Sequence, residues 1–186
     1  MPELLRLEHF GFTYPQQPCP ALADVSLTVR QGEFWVLCGA SGCGKTTLLR
    51  QLKPALRPHG AAEGRILFDG QPLDDLPPHR QAADIGFVLQ SPEEQTVTDK
   101  VWHELAFGLE SLGCDTPSIR RRVAEMASFF GIQDWFHRKV DELSGGQKQL
   151  LALASVMVLQ PRLLILDEPT CLLYTSPSPR DRTRSR

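Results

Sequence analysis

The amino-acid sequence predicts an α/β fold in which a parallel sheet carries an inserted helical subdomain. Two runs of apolar residues without a polar face, at 34–38 (FWVLC) and 163–166 (LLIL), are typical of strands buried on both sides of a parallel sheet. Between them, apolar residues recur at helical spacing. Strands and helices that alternate in this way favour a parallel sheet over an all-helical or all-β fold.

The first elements of the chain are predicted to be strands. The opening segment alternates in the manner of a strand, with one face formed by Leu5, Leu7 and His9 and the other by Arg6, Glu8 and Phe10. A turn is expected at Gln31 and Gly32. Further short strands are predicted at 25–29, at 66–68 between Gly64 and Gly70, and at 85–89.

The middle of the chain changes to helical spacing. Over 97–112 the apolar residues keep a spacing of four, which predicts one face of a helix. A second helix is predicted to begin with Thr116 as N-cap and Pro117 in the first turn, and to stop at Gly131. Its apolar face consists of Ile119, Val123, Met126 and Phe130. A third, mostly apolar helix is predicted at about 147–159, directly before the strand at 163–166.

Composition and charge exclude several classes of protein. The 186 residues are 41% apolar and 23% charged, which is a globular balance, and the net charge of −2 argues against binding nucleic acid by bulk positive charge. The N-terminus does not resemble a signal peptide, and the longest nearly apolar stretch, 150–159, is about half of what a membrane span needs. Five scattered cysteines without CxxC spacing indicate reduced thiols rather than disulfides or a zinc site.

The strongest local motif is 39–46 (GASGCGKT), which matches the P-loop pattern G-x-x-x-x-G-K-[ST] between a predicted strand and a predicted helix. Glycines let the backbone fold around an anion, and the N–H groups of the loop and helix N-terminus favour phosphate. Lys45 is expected to reach the β- and γ-phosphates, and the Thr46 hydroxyl to ligate Mg²⁺. The predicted cofactor-binding residues of this loop are Gly39, Ala40, Ser41, Gly42, Cys43, Gly44, Lys45, Thr46 and Thr47.

Two carboxylates follow the second aliphatic run. Asp167 and Glu168 lie at the carboxyl end of the predicted strand, the edge at which open α/β sheets bind ligands. Asp167 is expected to hold Mg²⁺ through water, and Glu168 is the candidate base that polarises the attacking water. A solvated strand end is the alternative interpretation, and the P-loop in the same chain favours the catalytic one.

A third motif is Leu143-Ser144-Gly145-Gly146-Gln147, which places a serine and two glycines at a predicted helix start, a second anion-binding arrangement. The order of P-loop, LSGGQ and LLILDE resembles the signature of the ATP-binding cassette (ABC) family. The resemblance extends from about Leu5 to Thr170 and implies ATP and Mg²⁺ as cofactors. It also implies a P-loop NTPase (RecA-like) parallel sheet core, N-terminal antiparallel strands, and an inserted helical signature subdomain at about 91–145.

The resemblance implies roles for further residues. Tyr14 is similar to the aromatic residue that stacks on adenine, with a tyrosine on the sheet surface as the alternative. Gln90 is similar to the glutamine that senses Mg²⁺ and the attacking water, which makes it both a catalytic and a metal-site candidate. By the same resemblance, the γ-phosphate held by another protomer's P-loop would be contacted by Ser144, Gly145, Gly146 and Gln147. The implied active species is therefore a head-to-tail dimer, with an identical or a paralogous partner.

Residues 90–95 (QSPEEQ) and 101–109 (VWHELAFGL) resemble the ATPases of energy-coupling factor transporters, which import vitamins or cobalt and nickel ions. The implied protein is a cytoplasmic ATP-hydrolysing subunit, peripheral on the inner face of the cell membrane. Its implied partners are a transmembrane coupling protein and a substrate-binding membrane protein, and not nucleic acid. Trp102 and His103 are candidate contacts for a coupling helix, with ordinary packing as the alternative.

Two other functions fit parts of the sequence. A soluble cassette ATPase of nucleic-acid repair or translation would predict coiled-coil or basic insertions or a second cassette, and the sequence has none of these. A nucleotide-binding module without hydrolytic activity is favoured by the absence of any histidine after Asp167, where the family has one that contacts the γ-phosphate. The five histidines lie at positions 9, 59, 79, 103 and 137.

The last 16 residues differ from the rest of the chain. Residues 171–186 contain four arginines and one aspartate, a net charge of +3, so the first 170 residues carry −5. Their Ser, Pro and Arg bias predicts disorder, and they resemble a translated sequencing adapter. The sequence therefore predicts a cassette domain over 1–170 that is incomplete at its C-terminus, followed by a non-native tail. Such a truncation is expected to expose apolar surface and to make the chain aggregate.

Overall fold

The computed structural model describes residues 2–169, and the predicted tail at 171–186 lies outside the described residues. The chain divides into two compact units, Met1–Ile85 and Gly86–Arg186. Within 2–169, no helix is long and apolar enough to cross a membrane.

The first unit contains a four-stranded antiparallel sheet in the order β2-β1-β3-β4. Its strands are β1 (Glu3–Thr13), β2 (Leu22–Arg30), β3 (Ala61–Phe68) and β4 (Gln71–Pro72). The predicted N-terminal antiparallel strands are thus confirmed and are longer than the apolar pattern indicated. The buried side chains of this sheet are Leu4, Leu5, Leu7, Phe10, Phe12, Leu22, Ile66 and Phe68.

The predicted faces of β1 are wrong after Leu7. Phe10 is buried and His9 is exposed, the reverse of the predicted alternation. The pairing of β1 shifts register here, and His9 has a φ of +47°, which marks a bulge that inserts an extra residue and exchanges the two faces. Gly64 lies inside β3 rather than before it. Only glycine fits at this position, because a Cβ there would be 2.3 Å from the carbonyl oxygen of His9.

The predicted buried strand at 34–38 is also wrong. These residues form no strand, and the side chains of Phe34 and Val36 are 87% and 66% exposed. A strand needs a neighbour that pairs with its backbone N–H and C=O groups. Within the described residues, no strand pairs with this segment. An apolar run without a partner strand therefore stays irregular.

Short helices complete the first unit. They are α1 (Lys45–Gln51), α2 (Pro78–Asp84) and the 3₁₀ turns Pro54–Leu56 and Leu73–Asp75. Lys53 connects the segment after α1 to the end of α2. Its Nζ donates to the carbonyl of Gln81, at 2.7 Å, and to that of Ile85. Burial lowers the pKa of the Lys53 ammonium to about 8.

The second unit packs helices around one apolar core, whose buried members include Val101, Leu105, Leu109, Val123, Ala127, Ile132, Leu151 and Val158. The helices are α3 (Pro92–Gln95), α4 (Val101–Ser111), α5 (Thr116–Phe130) and α6 (Gly145–Met157), with 3₁₀ turns at Gln133–Trp135 and Val140–Glu142. The strands β5 (Ile85–Val88) and β6 (Leu163–Leu166) form a two-stranded sheet. The predicted helices and both strands exist, with differences at their ends.

Helix α4 begins four residues later than the apolar spacing predicted. The buried carboxylate of Glu104 accepts hydrogen bonds from the backbone amides of Val97 and Thr98, at 3.1 and 2.9 Å, and from the Thr98 hydroxyl, at 2.9 Å. Because these amides bond to a side chain, they do not enter the helix. Val97 is accordingly 65% exposed rather than part of the apolar face.

The N-cap of α5 is Asp115, not Thr116, which is the first helical residue. The Asp115 carboxylate accepts from the amide of Ser118 at 2.9 Å and from its hydroxyl at 2.8 Å. These hydrogen bonds hold the pKa of Asp115 below its usual value. The predicted stop at Gly131 is confirmed, since this residue caps the helix with a φ of +68°.

Helix α6 spans Gly145–Met157 rather than 147–159, because its N-cap is Ser144, three residues before the predicted start. Strand β6 lies where it was predicted, but only Ile165 of its four residues is buried and the others are half-buried. In the described chain β6 pairs with β5 alone, so its other edge has no neighbouring strand.

Candidate functional site

The predicted site residues fall into two groups, one in each unit. The P-loop and Tyr14 belong to the first unit. The second unit contains Gln90, Asp167, Glu168 and the LSGGQ residues.

The P-loop takes a backbone path that requires glycine. Gly42 and Gly44 have φ values of +79° and +94°, the left-handed region that favours glycine. A Cβ on Gly44 would lie 2.8 Å from the carbonyl oxygen of Ala21, and one on Gly39 would lie 2.7 Å from the Sγ of Cys43. Leu48 donates to the carbonyl of Gly44 at 2.8 Å, so α1 starts directly from the loop. Residues 39–46 therefore form a tight backbone turn, which is exposed at 39–43.

The Lys45 ammonium is turned over this loop. Its Nζ donates to the carbonyls of Gly39 and Ala40, at 2.9 and 2.8 Å, and lies 3.8 Å from the Cys43 Sγ. Both of these carbonyl acceptors are neutral. Anionic oxygens at the loop are therefore stronger acceptors for the same ammonium.

Tyr14 lies against the helix that follows the P-loop. Its hydroxyl is 2.9 Å from the Oγ1 of Thr47, and its ring packs edge to face with Phe12 at a centroid distance of 4.9 Å. Thr47 is buried and Thr46 is half-buried. The two threonines therefore differ in role, since Thr47 fixes the position of Tyr14.

Gln90 and Glu168 are 78 residues apart in sequence, and their side chains touch. The Nε2 of Gln90 donates to the Oε2 of Glu168 at 2.8 Å. The contact is possible because β5 and β6 are neighbours: the amide of Asp167 donates to the carbonyl of Val88 at 3.0 Å. The pairing of these strands brings together two residues that the sequence predicted separately.

The two carboxylates differ in environment. Asp167 is 2% exposed, and Glu168 is exposed to solvent. Glu168 also has a φ of +50°, which is uncommon for a residue with a Cβ. An exposed carboxylate can form hydrogen bonds with water directly. A buried carboxylate can coordinate a metal cation, which compensates its charge.

The LSGGQ residues form the capped start of α6. The hydroxyl of Ser144 accepts from the amide of Gln147 at 3.3 Å, and the Oε1 of Gln147 accepts from the amide of Ser144 at 2.9 Å. This reciprocal arrangement is a capping box. Ser144 and Gly145 are exposed, and Gly146 and Gln147 are half-buried. LSGGQ thus begins a well-capped helix. The exposed backbone of Gly145 is also accessible to an anion.

Two residues with structural influence on the site were missed by the sequence analysis. Glu104 fixes the loop before α4 with its buried carboxylate. Gln95 bonds both to the backbone next to Gln90 and to α6. A charged residue on the apolar side of a helix is a signal for Glu104, whereas no spacing pattern marks Gln95.

Comparison with known proteins decides the family. The sequence profile described as "ABC transporter" matches residues 22–171. The chain belongs to the ABC transporter family. It is 48% identical over 167 residues to an ABC transporter ATP-binding protein of Bacillus cereus and 37% identical over 180 residues to the cobalt import ATP-binding protein CbiO of Syntrophus aciditrophicus, matches that cover 90% and 96% of this chain.

A solved structure shows the same fold. CbiO1 of Clostridium perfringens, part of the ABC transporter complex CbiONQ, superposes with a TM-score of 0.79 at 31% identity over 91% of this chain. The predicted P-loop NTPase fold of an ABC cassette is therefore confirmed. The resemblance at the level of the sub-family is confirmed as well, because the chain is similar to both CbiO and CbiO1.

The chain is shorter than its ABC relatives. It spans 30% of the length of the Bacillus cereus protein, 62% of the Syntrophus protein and 67% of the CbiO1 chain. The similarity therefore shows an ABC ATP-binding region, and the activity of a whole protein is a matter for proposal.

Proposed function

We propose that this chain is the ATP-binding and ATP-hydrolysing part of a transporter subunit that energises import of a small solute through a separate membrane protein. The observation that carries the proposal is the 2.8 Å contact between Gln90 Nε2 and Glu168 Oε2. A sensing glutamine beside an exposed carboxylate at a strand end is an arrangement suited to hold and polarise a water molecule.

Binding of the nucleotide is assigned to the first unit. The N–H groups of the turn formed by 39–46 cradle phosphate, and Lys45 exchanges its two carbonyl acceptors for phosphate oxygens. Tyr14 stacks on the adenine. The residues proposed for Mg²⁺ carry the hard oxygen donors that this ion prefers, which are a hydroxyl at Thr46 in the first unit and an amide oxygen at Gln90 and a carboxylate at Asp167 in the second.

Hydrolysis is assigned to Glu168 as general base. Its carboxylate accepts a proton from the attacking water, and Gln90 orients that water through its amide. Bound Mg²⁺ supplies charge neutralisation to the phosphates. Among residues 2–169, no three His, Cys, Asp or Glu side chains come together as a metal cluster.

The proposed partners follow from the family and from the exposed LSGGQ backbone. Ser144, Gly145, Gly146 and Gln147 contact the γ-phosphate held by a second ABC protomer, identical or paralogous. A coupling protein and a substrate-binding protein in the membrane complete the transporter, and the subunit lies at the inner face of that membrane. The solute is a transition-metal ion or a vitamin, as the similarity to a cobalt-import protein supports. The cassette domain covers 1–170, with its helical subdomain at about 91–145.

A nucleotide-binding fragment without hydrolysis is the second candidate. It requires the P-loop of the first unit and not the contact between Gln90 and Glu168. Turnover separates the two candidates, because both bind ATP and only the first releases phosphate.

The proposal is tested by binding and turnover of MgATP with the chain and two variants. Lys45→Ala weakens ATP binding by about tenfold to a hundredfold, the loss expected for a hydrogen bond to a charged group. Glu168→Gln keeps binding within about threefold and lowers phosphate release by about a hundredfold or more. Titration calorimetry and a phosphate-release assay give the two quantities.

Lys100→Ala is the matched control, because Lys100 is an exposed lysine outside the P-loop. It leaves ATP binding unchanged. Equal binding by Lys45→Ala and Lys100→Ala would overturn the assignment of the P-loop, and equal turnover by Glu168→Gln and the parent would remove Glu168 from the role of base. Binding without any phosphate release by the parent would select the second candidate.

A further inference from the structure

Gln95, at the end of α3, makes two hydrogen bonds to separate segments of the second unit. Its Oε1 accepts from the backbone amide of Leu89 at 2.9 Å, and its Nε2 donates to the carbonyl of Ala152 at 3.2 Å. Leu89 directly precedes Gln90, and Ala152 lies in the middle of α6. One half-buried side chain thus bridges the backbone beside Gln90 and the helix that begins with LSGGQ.

A second contact supports the same docking of α3 on α6. The Nζ of Lys148 lies 3.1 Å from the Oε1 of Glu93. Lys148 and Ala152 are one helical turn apart, so both bonds leave the same face of α6. Glu93 is largely exposed, and a surface ion pair contributes little. The amide bridge of Gln95 is therefore the stronger of the two connections.

The segment 89–98, which contains Gln90 and α3, is held at both ends by side chains. Gln95 holds the amide of Leu89 at its start, and Glu104 holds the amides of Val97 and Thr98 at its end. Gln90 itself bonds to Glu168. A change in the position of Leu89 therefore moves Gln90 relative to Glu168, whereas a change confined to 97–98 does not.

We propose that Gln95 is a positioning residue that couples the placement of Gln90 to the LSGGQ helix. The proposal rests on the proposed function, because it assigns Gln95 to support of the water-orienting glutamine. Its two bonds act separately: the acceptor fixes the Gln90 backbone, and the donor fixes the distance to α6. Gln95 touches no reacting atom and acts only through Gln90 and α6.

Two substitutions separate these bonds. Gln95→Met removes both while keeping the shape of the side chain. Gln95→Glu keeps an acceptor for the Leu89 amide and removes the donor to Ala152, since a carboxylate has no N–H to offer. Glu94→Gln is the control, because Glu94 is exposed on the same short helix.

Hydrogen exchange without nucleotide is the first measurement. In Gln95→Met, exchange in segments 88–91 and 145–152 becomes about tenfold faster, as expected for loss of a hydrogen bond in a locally opening region. In Gln95→Glu, only 145–152 becomes faster. Glu94→Gln leaves both segments as in the parent. The same exchange in all three variants, or equal effects of Met and Glu at 88–91, would overturn the proposal.

Turnover is the second measurement. Gln95→Met lowers kcat by about tenfold and leaves the KM for ATP unchanged, because the P-loop is untouched. Gln95→Glu lowers kcat less than Gln95→Met. A rise of KM with unchanged kcat would contradict a positioning role. If the parent shows no turnover, the proposed hydrolytic function fails, and the exchange pattern still decides whether Gln95 links the two segments.

Discussion

The two apolar runs at 34–38 and 163–166 have the same sequence pattern and different structures. The first precedes the predicted phosphate site, and the second precedes the predicted water site. Leu163–Leu166 forms β6, pairs with β5 and buries Ile165. Residues 34–38 pair with no strand in the described part of the chain and expose Phe34 and Val36. An apolar run therefore states that a segment can be a buried strand, and a partner strand decides whether it is one.

Hydrogen bonds from distant residues make the same distinction. The backbone of 85–88 is held by two residues distant in sequence, since Lys53 donates to the carbonyl of Ile85 and the Asp167 amide donates to the carbonyl of Val88. By contrast, the carbonyls of Gly39 and Ala40 bond to the nearby Lys45 ammonium. The strand before Gln90 is thus held by residues distant in sequence, whereas the carbonyls of Gly39 and Ala40 are held by a residue five or six positions away.

The largest expected effect compares one buried and one exposed residue of the two runs. Ile165→Ala lowers the free energy of unfolding by about 2–4 kcal/mol, because it removes buried methyl groups and leaves a cavity. Val36→Ala lowers it by less than about 0.5 kcal/mol, because the Val36 side chain is already exposed. Urea denaturation of the two variants measures the difference. Equal losses would mean that 34–38 is packed in solution, and the comparison would fail.

Much of the molecule is predictable because local chemistry decides it. The P-loop glycines and the serine cap of α6 follow from residue type and spacing over a few positions. The approach of Gln90 to Glu168 needed the family resemblance, since 78 residues separate them. Sequence patterns specify a site only as far as short-range preferences reach.

The errors in the prediction have physical causes of longer range. The faces of β1 were misassigned because a bulge at His9 is set by pairing with two neighbouring strands. The start of α4 was misassigned because the Glu104 carboxylate competes for the amides of Val97 and Thr98. Gln95 was missed because its two acceptor and donor partners become neighbours only in the folded chain.

A pH-dependent effect is expected at Lys53, the residue that holds the start of β5. Its pKa is about 8 in the folded chain and about 10.4 when unfolded. Between these values the unfolded chain binds more protons, so the free energy of unfolding rises with pH over this window, by about 1–2 kcal/mol after screening by solvent. Below pH 8 both states are protonated and this contribution is constant.

Lys53→Met removes this rise, and urea denaturation at pH 7.5, 9 and 10 measures it as the difference between parent and variant. Lys100→Met, at an exposed lysine, keeps the slope of the parent. An unchanged slope in Lys53→Met would show that the ammonium is fully solvated and does not hold the backbone of Ile85. In that case β5 would depend on its pairing with β6 alone.

The smallest expected effect is at Gln149, in helix α6 of the second unit. Gln149 of α6 is 3% exposed, and neither its Oε1 nor its Nε2 has a hydrogen-bond partner within residues 2–169. A buried polar group without a partner lowers stability. Gln149→Met therefore leaves the free energy of unfolding unchanged or raises it by up to about 1 kcal/mol, as urea denaturation would show.

Gln149→Glu tests the same site in the opposite direction, because a carboxylate there must be buried as a charge or take up a proton, and it lowers stability. Gln149 and Gln95 are both glutamines of the second unit, and within residues 2–169 only Gln95 of the two forms side-chain hydrogen bonds. A large loss of stability in Gln149→Met would mean that bound water satisfies its amide. In that case, hydrogen bonds to water would stabilise the second unit in addition to its direct protein contacts. The difference between this unit and the P-loop segment would then be larger.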